Sequence, residues 1–327
     1  MSAPLVSIII PAFNCEDFIE ETIQSSINQT WQNKEIIVVD DGSTDNTLST
    51  ARKYESKGVT VITQLNKGAS AARNLGFKIS KGDYIQYLDG DDLLSLGKIE
   101  HQLLNIKDKY NTLSICPTVY FNNGVSPYSI GPNHEWYREG SVDCIDFLIK
   151  LYGGSLIGPT FGGMVTIHSW LTPRALIEAA GPWDERLSVD DDGEFFCRVV
   201  LEADRIIYTK ESICYYRKFI NRNSLSKARG AKADLSALEA NLSKCNNLLK
   251  RTDDPRAKIA LGRLFWENAY SFFPHNFELS FKAEQIAKKL NPSFQFKPYN
   301  KGLKKALARF LGWKNVKKIE YYKQKLK

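Results

Sequence analysis

The order of hydrophobic patterns predicts an α/β domain, a mostly parallel sheet with flanking helices, followed by an all-helical C-terminal region. Four β-rich runs alternate with three helix-patterned stretches in the first 90 residues, and right-handed crossovers turn that order into parallel strands. From Ser226 onward the β-rich runs stop and only helical periodicity remains. This sets a boundary near residue 225, giving regions 1–225 and 226–327. A third observation is chemical. Carboxylates gather where the second and fourth strands end, and ligands of open α/β sheets bind at the carboxyl ends of strands.

Val6-Ser7-Ile8-Ile9-Ile10-Pro11 reads as a buried strand ended by proline. Residues 16–29 carry Ile19, Ile23 and Ile27 at four-residue spacing, as an amphipathic helix does. Residues 35–39 form the second strand. Asp40-Asp41-Gly42-Ser43-Thr44-Asp45 is a polar turn opening a helix to about Lys57, with Ser43 and Asp45 as caps. Residues 59–64 make the third strand, 68–80 the third helix and 84–88 the fourth strand. Beyond it, 111–121 and 166–171 read as strands, 144–151 and 173–180 as helices, and 153–163 as a glycine-rich loop. Residues 194–203 form a helix with Phe195, Phe196, Val199 and Val200 on its apolar face, and 205–209 and 213–216 are short strands.

The 327 residues, 43% apolar and 12% aromatic, suit one large domain with an appendage. Six cysteines (15, 116, 144, 197, 214, 245) lack any Cys-x-x-Cys spacing, which argues against a zinc site or disulfide framework and fits a reducing compartment. Met1 leads almost directly into strand material, without a basic lead and apolar stretch, so a cytoplasmic location is expected. No apolar run approaches the ~20 residues a membrane span requires. Of the +7 net charge, residues 301–327 hold ten Lys/Arg against Glu320 alone, a balance of +9 that leaves the rest at about −2. The basic character belongs to the tail, and no nucleic-acid partner is expected. Leu303, Ala306, Leu307, Phe310 and Leu311 make an apolar stripe there, beside Lys301, Lys304, Lys305 and Arg309. Such a helix either lies on an anionic membrane surface or packs on the catalytic domain with its lysines in water.

Tyr84–Leu88 ends in Asp89-Gly90-Asp91-Asp92. Unpaired buried carboxylates cost several kcal/mol each, so they belong at an exposed strand tip or beside a cation. Oxygen ligands there suit Mg²⁺ or Mn²⁺ bound partly through substrate phosphates, and Gly90 permits a tight turn and a close ligand. Asp41, at the end of the second strand, is placed to accept from a base N–H or a ribose hydroxyl. Neither a dinucleotide fingerprint nor a P-loop is present. In Asn66-Lys67-Gly68-Ala69-Ser70-Ala71-Ala72-Arg73-Asn74, small residues open a helix with a cation one turn in, which fits a pyrophosphate at Arg73. Asp190, Asp191, Asp192 and Glu194 crowd four carboxylates into five residues, so at least one pKa should rise.

Together, Val6–Asn14, Glu35–Asp45, Gly68–Asn74 and Tyr87–Asp92 closely resemble family 2 glycosyltransferases of the GT-A fold, over roughly residues 5–225. The resemblance implies a nucleotide-sugar donor, usually a UDP-sugar, and inverting transfer. It places Pro11, Ala12, Asn14, Glu16 and Asp41 around the nucleoside, Asp89 at the ribose and Asp91 on the Mn²⁺ or Mg²⁺ that bridges the diphosphate. It makes Asp192 the general base, with Asp191 and Glu194 beside it on the acceptor side and Asp190 a helix cap. Trp170 is either a sugar-stacking face there or a core residue, and neighbouring His168 is assigned no chemistry. Tyr215–Phe219 and Asn223–Ser226 resemble the closing motif of the catalytic domain. Many members have histidine where Phe219 stands, so Arg217 or Lys218 is left to neutralise phosphate. The implied acceptor is a glycan, lipid-linked or other surface-polysaccharide hydroxyl. Two rivals remain: a sugar nucleotidyltransferase, whose glycine-rich, Lys-terminated loop is replaced by Pro11–Asn14, and a non-catalytic carbohydrate- or membrane-binding module.

Overall fold

Seven consecutive residues, Val6–Ala12, are buried and form β1, which requires cover on both faces. Residues alternate between two clusters. Ile8 and Ile10 pack with Ile19 and Ile23 of α1 (Ile19–Ile27) on one face. On the other face of the sheet, Ile37 and Val39 of β2 (Lys34–Asp40) meet Ala72. The structure is a computed structural model and describes residues 3–107, 109, 111–138, 141–219, 230–299 and 301–325. The expected boundary at 225 and the motif at 223–226 lie outside the described residues.

The helix expected to reach Lys57 stops as α2 (Thr47–Arg52), with a 3₁₀ turn at Glu55–Lys57. β3 (Val59–Thr63), α3 (Ala69–Ile79) and β4 (Tyr84–Tyr87) follow. β2 and β4 flank β1, and β3 lies outside β2, all parallel. α3 lies very close to β1: a Cβ on Gly76 would fall 2.4 Å from Ile9 Cγ2 and 3.3 Å from Val39 Cγ2. Its small residues are therefore needed for packing.

After β5 (Leu93–Leu94) and α4 (Lys98–Ile106), the expected strand at 111–121 proves to be two, β6 (Thr112–Ile115) and β7 (Thr118–Asn122). They part at Cys116-Pro117, where proline removes a ladder donor, and enter different sheets. β8 (Ser141–Val142) and α5 (Cys144–Gly153) come next. The expected strand at 166–171 is instead a 3₁₀ turn, Ile167–Ser169, before β9 (Thr172–Pro173), the antiparallel edge beside β4. α6 (Arg174–Ala180), α7 (Asp191–Glu202), β10 (Arg205–Tyr208) and β11 (Cys214–Lys218) complete this part. β10 joins β6 and β8, and β11 joins β5 and β7.

The chain divides into two compact units. The first holds the sheets. The second combines Ile149–Gly163, which the sequence reading placed with the sheets, with α8 (Ala231–Leu249), α9 (Pro255–Phe272), α10 (Phe277–Leu290) and α11 (Gly302–Lys325). The early segment is held by α9: Arg263 donates to the Tyr152 carbonyl at 2.8 Å, and a Cβ on Gly153 would sit 3.2 Å from Ala260 Cβ. Pro255 at the first turn of α9 follows Asp254, whose carboxylate accepts from Arg256 N at 2.8 Å. α11 breaks at Gly312 (φ 74°, ψ 154°). No helix among the described residues is long and apolar enough to cross a membrane.

The α3–β1 contact is directly testable. Gly76→Val should lower stability in urea unfolding by about 1–3 kcal/mol, the usual range for overpacking a filled site. Gly131→Ala, where an added Cβ meets nothing within 4 Å, should change it by less than ~0.5 kcal/mol. Equal midpoints for the two variants would mean that α3 does not lie on β1 this closely.

Candidate active site

The first turn of α3 buries Ser70, Ala71, Ala72 and Arg73. Arg73 does not face open space. Its Nη2 donates to Asp89 Oδ1 at 2.9 Å and its Nη1 to Asp191 Oδ2 at 2.9 Å, and Ser70 Oγ donates to the same Asp191 oxygen at 3.0 Å. The guanidinium carbon stands 4.6 Å from the centre of the Trp183 ring, which stacks on Phe195 at 3.9 Å. Burial works against the cation, but Asp89 and Asp191 outweigh it and raise its pKa. One guanidinium thus joins the two acidic clusters, 102 residues apart in the chain. Trp183 was not singled out from the sequence, since nothing local marks it as the partner of Arg73.

At the tip of β4, Asp89 is a third exposed and Asp91 is half-buried. Gly90 is required for a reason other than a turn: an added Cβ would lie 3.0 Å from Cys15 Sγ and 3.2 Å from the Pro11 carbonyl, so β1 fills that space. Asp92 turns inward and is buried; its Oδ1 accepts from Arg217 N at 2.7 Å, and its Oδ2 stands 3.3 Å from His168 Nδ1. Burial pushes its carboxyl well above the usual range, with Asp91 and Asp89 adding to the shift. Arg217, left for phosphate by the sequence reading, is committed elsewhere: Nε donates to the Asp91 carbonyl at 2.9 Å and Nη2 to Glu21 at 2.6 Å.

Ligand atoms of Asp89, Asp92 and His168 converge within 4.8 Å of one another, and Asp91 is not in that group. Asp92 and His168 are almost wholly enclosed and face each other, so they offer a cation little room for retained water. Asp89 and Asp91, at the more open tip, leave more room for water around a cation. His168 is the residue that sequence reasoning left without a role, since nothing local links it to Asp92.

Around the end of β1, the residues expected at the nucleoside hold the loops in place. The Ala12 carbonyl, next to buried Pro11, accepts from Asp41 N at 2.8 Å. Asp41 is buried and accepts from Gln64 Nε2 (2.7 Å), Lys67 N (2.9 Å) and Gly68 N (2.7 Å). Asn14, in the left-handed region at φ 47°, accepts from Thr44 N at 2.9 Å, and Glu16 accepts from Asn46 N at 2.8 Å. The expected caps Ser43 and Asp45 also bond across: Ser43 Oγ accepts from Asn14 N, while Asp45 accepts from both Thr47 N and Glu16 N.

At the second acidic cluster, Asp190 occupies the cap position of α7 at φ 61° but makes no side-chain capping bond. Asp191 carries the Arg73 contact. Asp192, half-buried beside it, accepts from Gly193 N at 2.8 Å. Burial, then Asp191 and Asp190, push its carboxyl up to about 7 against the pull of Arg73. Glu194, expected on the acceptor side, is buried and gripped by Arg198 through two bonds of 2.8 and 2.9 Å, so its carboxylate is already committed. That i,i+4 pair was legible in the sequence. Trp170 is likewise a core residue, 2% exposed and stacked on Phe196 at 4.8 Å, with no face open to a sugar.

The chain resembles known proteins in sequence and in fold. The model of the family described as "Glycosyl transferase family 2" matches residues 7–164. "Glycosyltransferase GlyG" of Streptococcus pneumoniae serotype 4 is 38% identical over 229 residues, which cover 65% of this chain and 71% of that protein. The "UDP-Glc:alpha-D-GlcNAc-diphosphoundecaprenol beta-1,3-glucosyltransferase WfaP" of Escherichia coli is 46% identical over 100 residues, 30% of this chain and 40% of that one. The chain spans 63%, 42% and 57% of the length of three further curated relatives. Among solved structures, S. aureus TarS in complex with UDP-GlcNAc superposes with a TM-score of 0.61 at 18% identity, covering 89% of this chain and 91% of that one, a likeness of fold.

The raised Asp192 pKa has a measurable sign. Between about 4 and about 7 the folded chain holds a proton there that the unfolded chain has lost, so stability falls as pH rises through that window. Asp192→Asn removes the titration. Its melting temperature should therefore gain on the parent protein between pH 4 and pH 8, and a difference that stays flat over that range would refute the shift.

Proposed function

The chain belongs to glycosyl transferase family 2, and from that membership we propose that it moves a sugar from a nucleotide-diphosphate donor, a UDP-sugar, to an acceptor hydroxyl with inversion at the anomeric carbon. The observation that supports this best is the Arg73 bridge. Through it the donor-side tip at Asp89 and the acceptor-side carboxylates at Asp191 and Asp192 share one place. A carboxyl at about 7 is also matched to proton transfer near neutral pH.

In this reading Asp41, Asn14 and Glu16 shape the nucleoside end and Asp89 meets the ribose. Asp89 and Asp91 are the residues that would hold Mn²⁺ or Mg²⁺. When bound, the ion supplies positive charge to the departing diphosphate, where most negative charge develops. Asp192 takes the proton of the acceptor hydroxyl as its oxygen bonds to the anomeric carbon and the bond to the diphosphate breaks, so no covalent enzyme intermediate is needed. Asp191, tied to Arg73 and Ser70, fixes the start of α7 and so the position of Asp192. TarS is described with UDP-GlcNAc and WfaP as acting on a diphosphoundecaprenol-linked sugar, which support a UDP-sugar donor and a lipid-linked acceptor here. Such an acceptor places the work at the cytoplasmic face of a membrane, on a peripheral protein. A sugar nucleotidyltransferase is disfavoured because Pro11–Asn14 stands where its phosphate loop is expected.

Measurements on the parent protein and two variants test the proposal. Nucleoside diphosphate should be released from one member of a nucleotide-sugar panel, cease with chelator and return with Mn²⁺ or Mg²⁺. Full activity in excess chelator would remove the metal from the scheme. Asp91→Asn should weaken metal-dependent binding of the nucleotide, read by calorimetry, as well as turnover. Asp192→Asn should leave that binding nearly intact while transfer falls by ~10²–10⁴-fold, the usual contribution of a general base. Transfer at the parent rate would transfer the base role to Asp191. On the pH axis, parent turnover should rise through about pH 7 as Asp192 ionises.

A further inference from the structure

The two halves of α11 behave differently. After Gly312, Trp313 packs against Phe296 and Phe273 at ring separations of 5.7 and 5.6 Å, and Val316 is 3% exposed. Lys314 pairs with Glu284, and Lys317 donates to the Tyr270 carbonyl. Before Gly312, Leu303 and Phe310 are 76% and 88% exposed, and Leu311 and Leu307 are also open. The halves fold back on each other: Lys304 meets Glu320 sixteen residues on, where a straight helix would hold them about 24 Å apart. The sequence left membrane contact and packing on the catalytic domain as alternatives for this tail; its second half packs instead on α9 and α10 of its own unit.

A second exposed apolar set lies on α10 of the same unit. Phe277 and Phe281 of α10 are 60% and 50% exposed and stack on each other at 6.4 Å. Phe277 leads through Phe273 (6.3 Å) to Trp313, next to the break. Scattered exposed apolar residues are ordinary, but a run of large ones alongside cations marks an interaction face. Residues 301–311 hold Lys301, Lys304, Lys305 and Arg309 and no acid, and among the described residues only Lys304 of these pairs with a carboxylate.

We propose that residues 302–311, with Phe277 and Phe281, form the face by which this protein docks on an anionic lipid bilayer. Phe310 and Leu303 enter the headgroup–acyl boundary, where Phe and Leu beside Lys and Arg are favoured. Lys301, Lys305 and Arg309 meet acidic headgroups, each contributing about fivefold in partitioning. This goes beyond the transferase reading in naming the surface, and it holds whether or not the first unit turns over a sugar.

The test is co-sedimentation of the full chain with phosphatidylglycerol–phosphatidylcholine vesicles and with phosphatidylcholine alone. Binding to the first should exceed binding to the second at least tenfold and fall with added salt. Leu303→Ser with Phe310→Ser should lower it about tenfold or more, as should Phe277→Ser with Phe281→Ser. Lys305→Glu with Arg309→Glu should abolish the preference for anionic lipid. Circular dichroism and nucleotide calorimetry on the same preparations report folding and the first unit separately. Equal binding to both vesicles, or unchanged binding by the serine pairs, overturns the proposal. So does a dimer in light scattering that Phe310→Ser dissociates without any vesicle binding, which would assign the face to a second copy of this chain.

Discussion

A single buried cation organises the site. Arg73 is 7% exposed, and a guanidinium so enclosed is tolerable only with its charge answered. Two carboxylates and the face of Trp183 answer it. With both carboxylates removed, the buried charge would be left uncompensated. Arg73 reaches its partners because α3 lies so close to β1, and α3 lies so close because Gly76 and the alanines of its first turn have almost no bulk. The geometry of the acidic centre is thus traceable to missing side chains on the helix that carries Arg73.

This ordering explains what was legible in the chain. β1 to β4 and their helices follow from hydrophobic period, since burial on both faces leaves little else that Val6-Ser-Ile-Ile-Ile-Pro can do. The tip acids were legible because strand ends in such sheets face ligands. The partner of Arg73 was not, because an ion pair between residues 73 and 191 leaves no local trace. Cys116-Pro117 did carry a break signal, which the apolar run on either side concealed. Trp170 looked like a sugar platform only while its stacking partner Phe196 was unknown. The tail could not be divided from its composition, because Leu303 and Val316 look alike until one is seen at 76% exposure and the other at 3%.

The polar loops above β1 and β2 present a related economy. Asn14, Glu16 and Asp41 each take backbone N–H groups from a neighbouring loop, so the walls expected around a nucleoside are held by the very groups expected to touch it. A carboxylate oxygen has more than one acceptor site, and the same anchoring that fixes the loops also orients what remains available. Preorganisation of this kind limits the ordering entropy left for ligand binding.

The second unit is not continuous in the chain. Tyr152 waits for Arg263, 111 residues later. At ordinary ribosomal rates that interval lasts about 5–20 s, during which residues 149–163 are synthesised but their helical partners are not. The sheet-bearing unit has the same difficulty in reverse, since α7 and β11 come after this segment. Nascent chains of this protein therefore pass through a stage in which residues 149–163 are made and the helices that complete their unit are not.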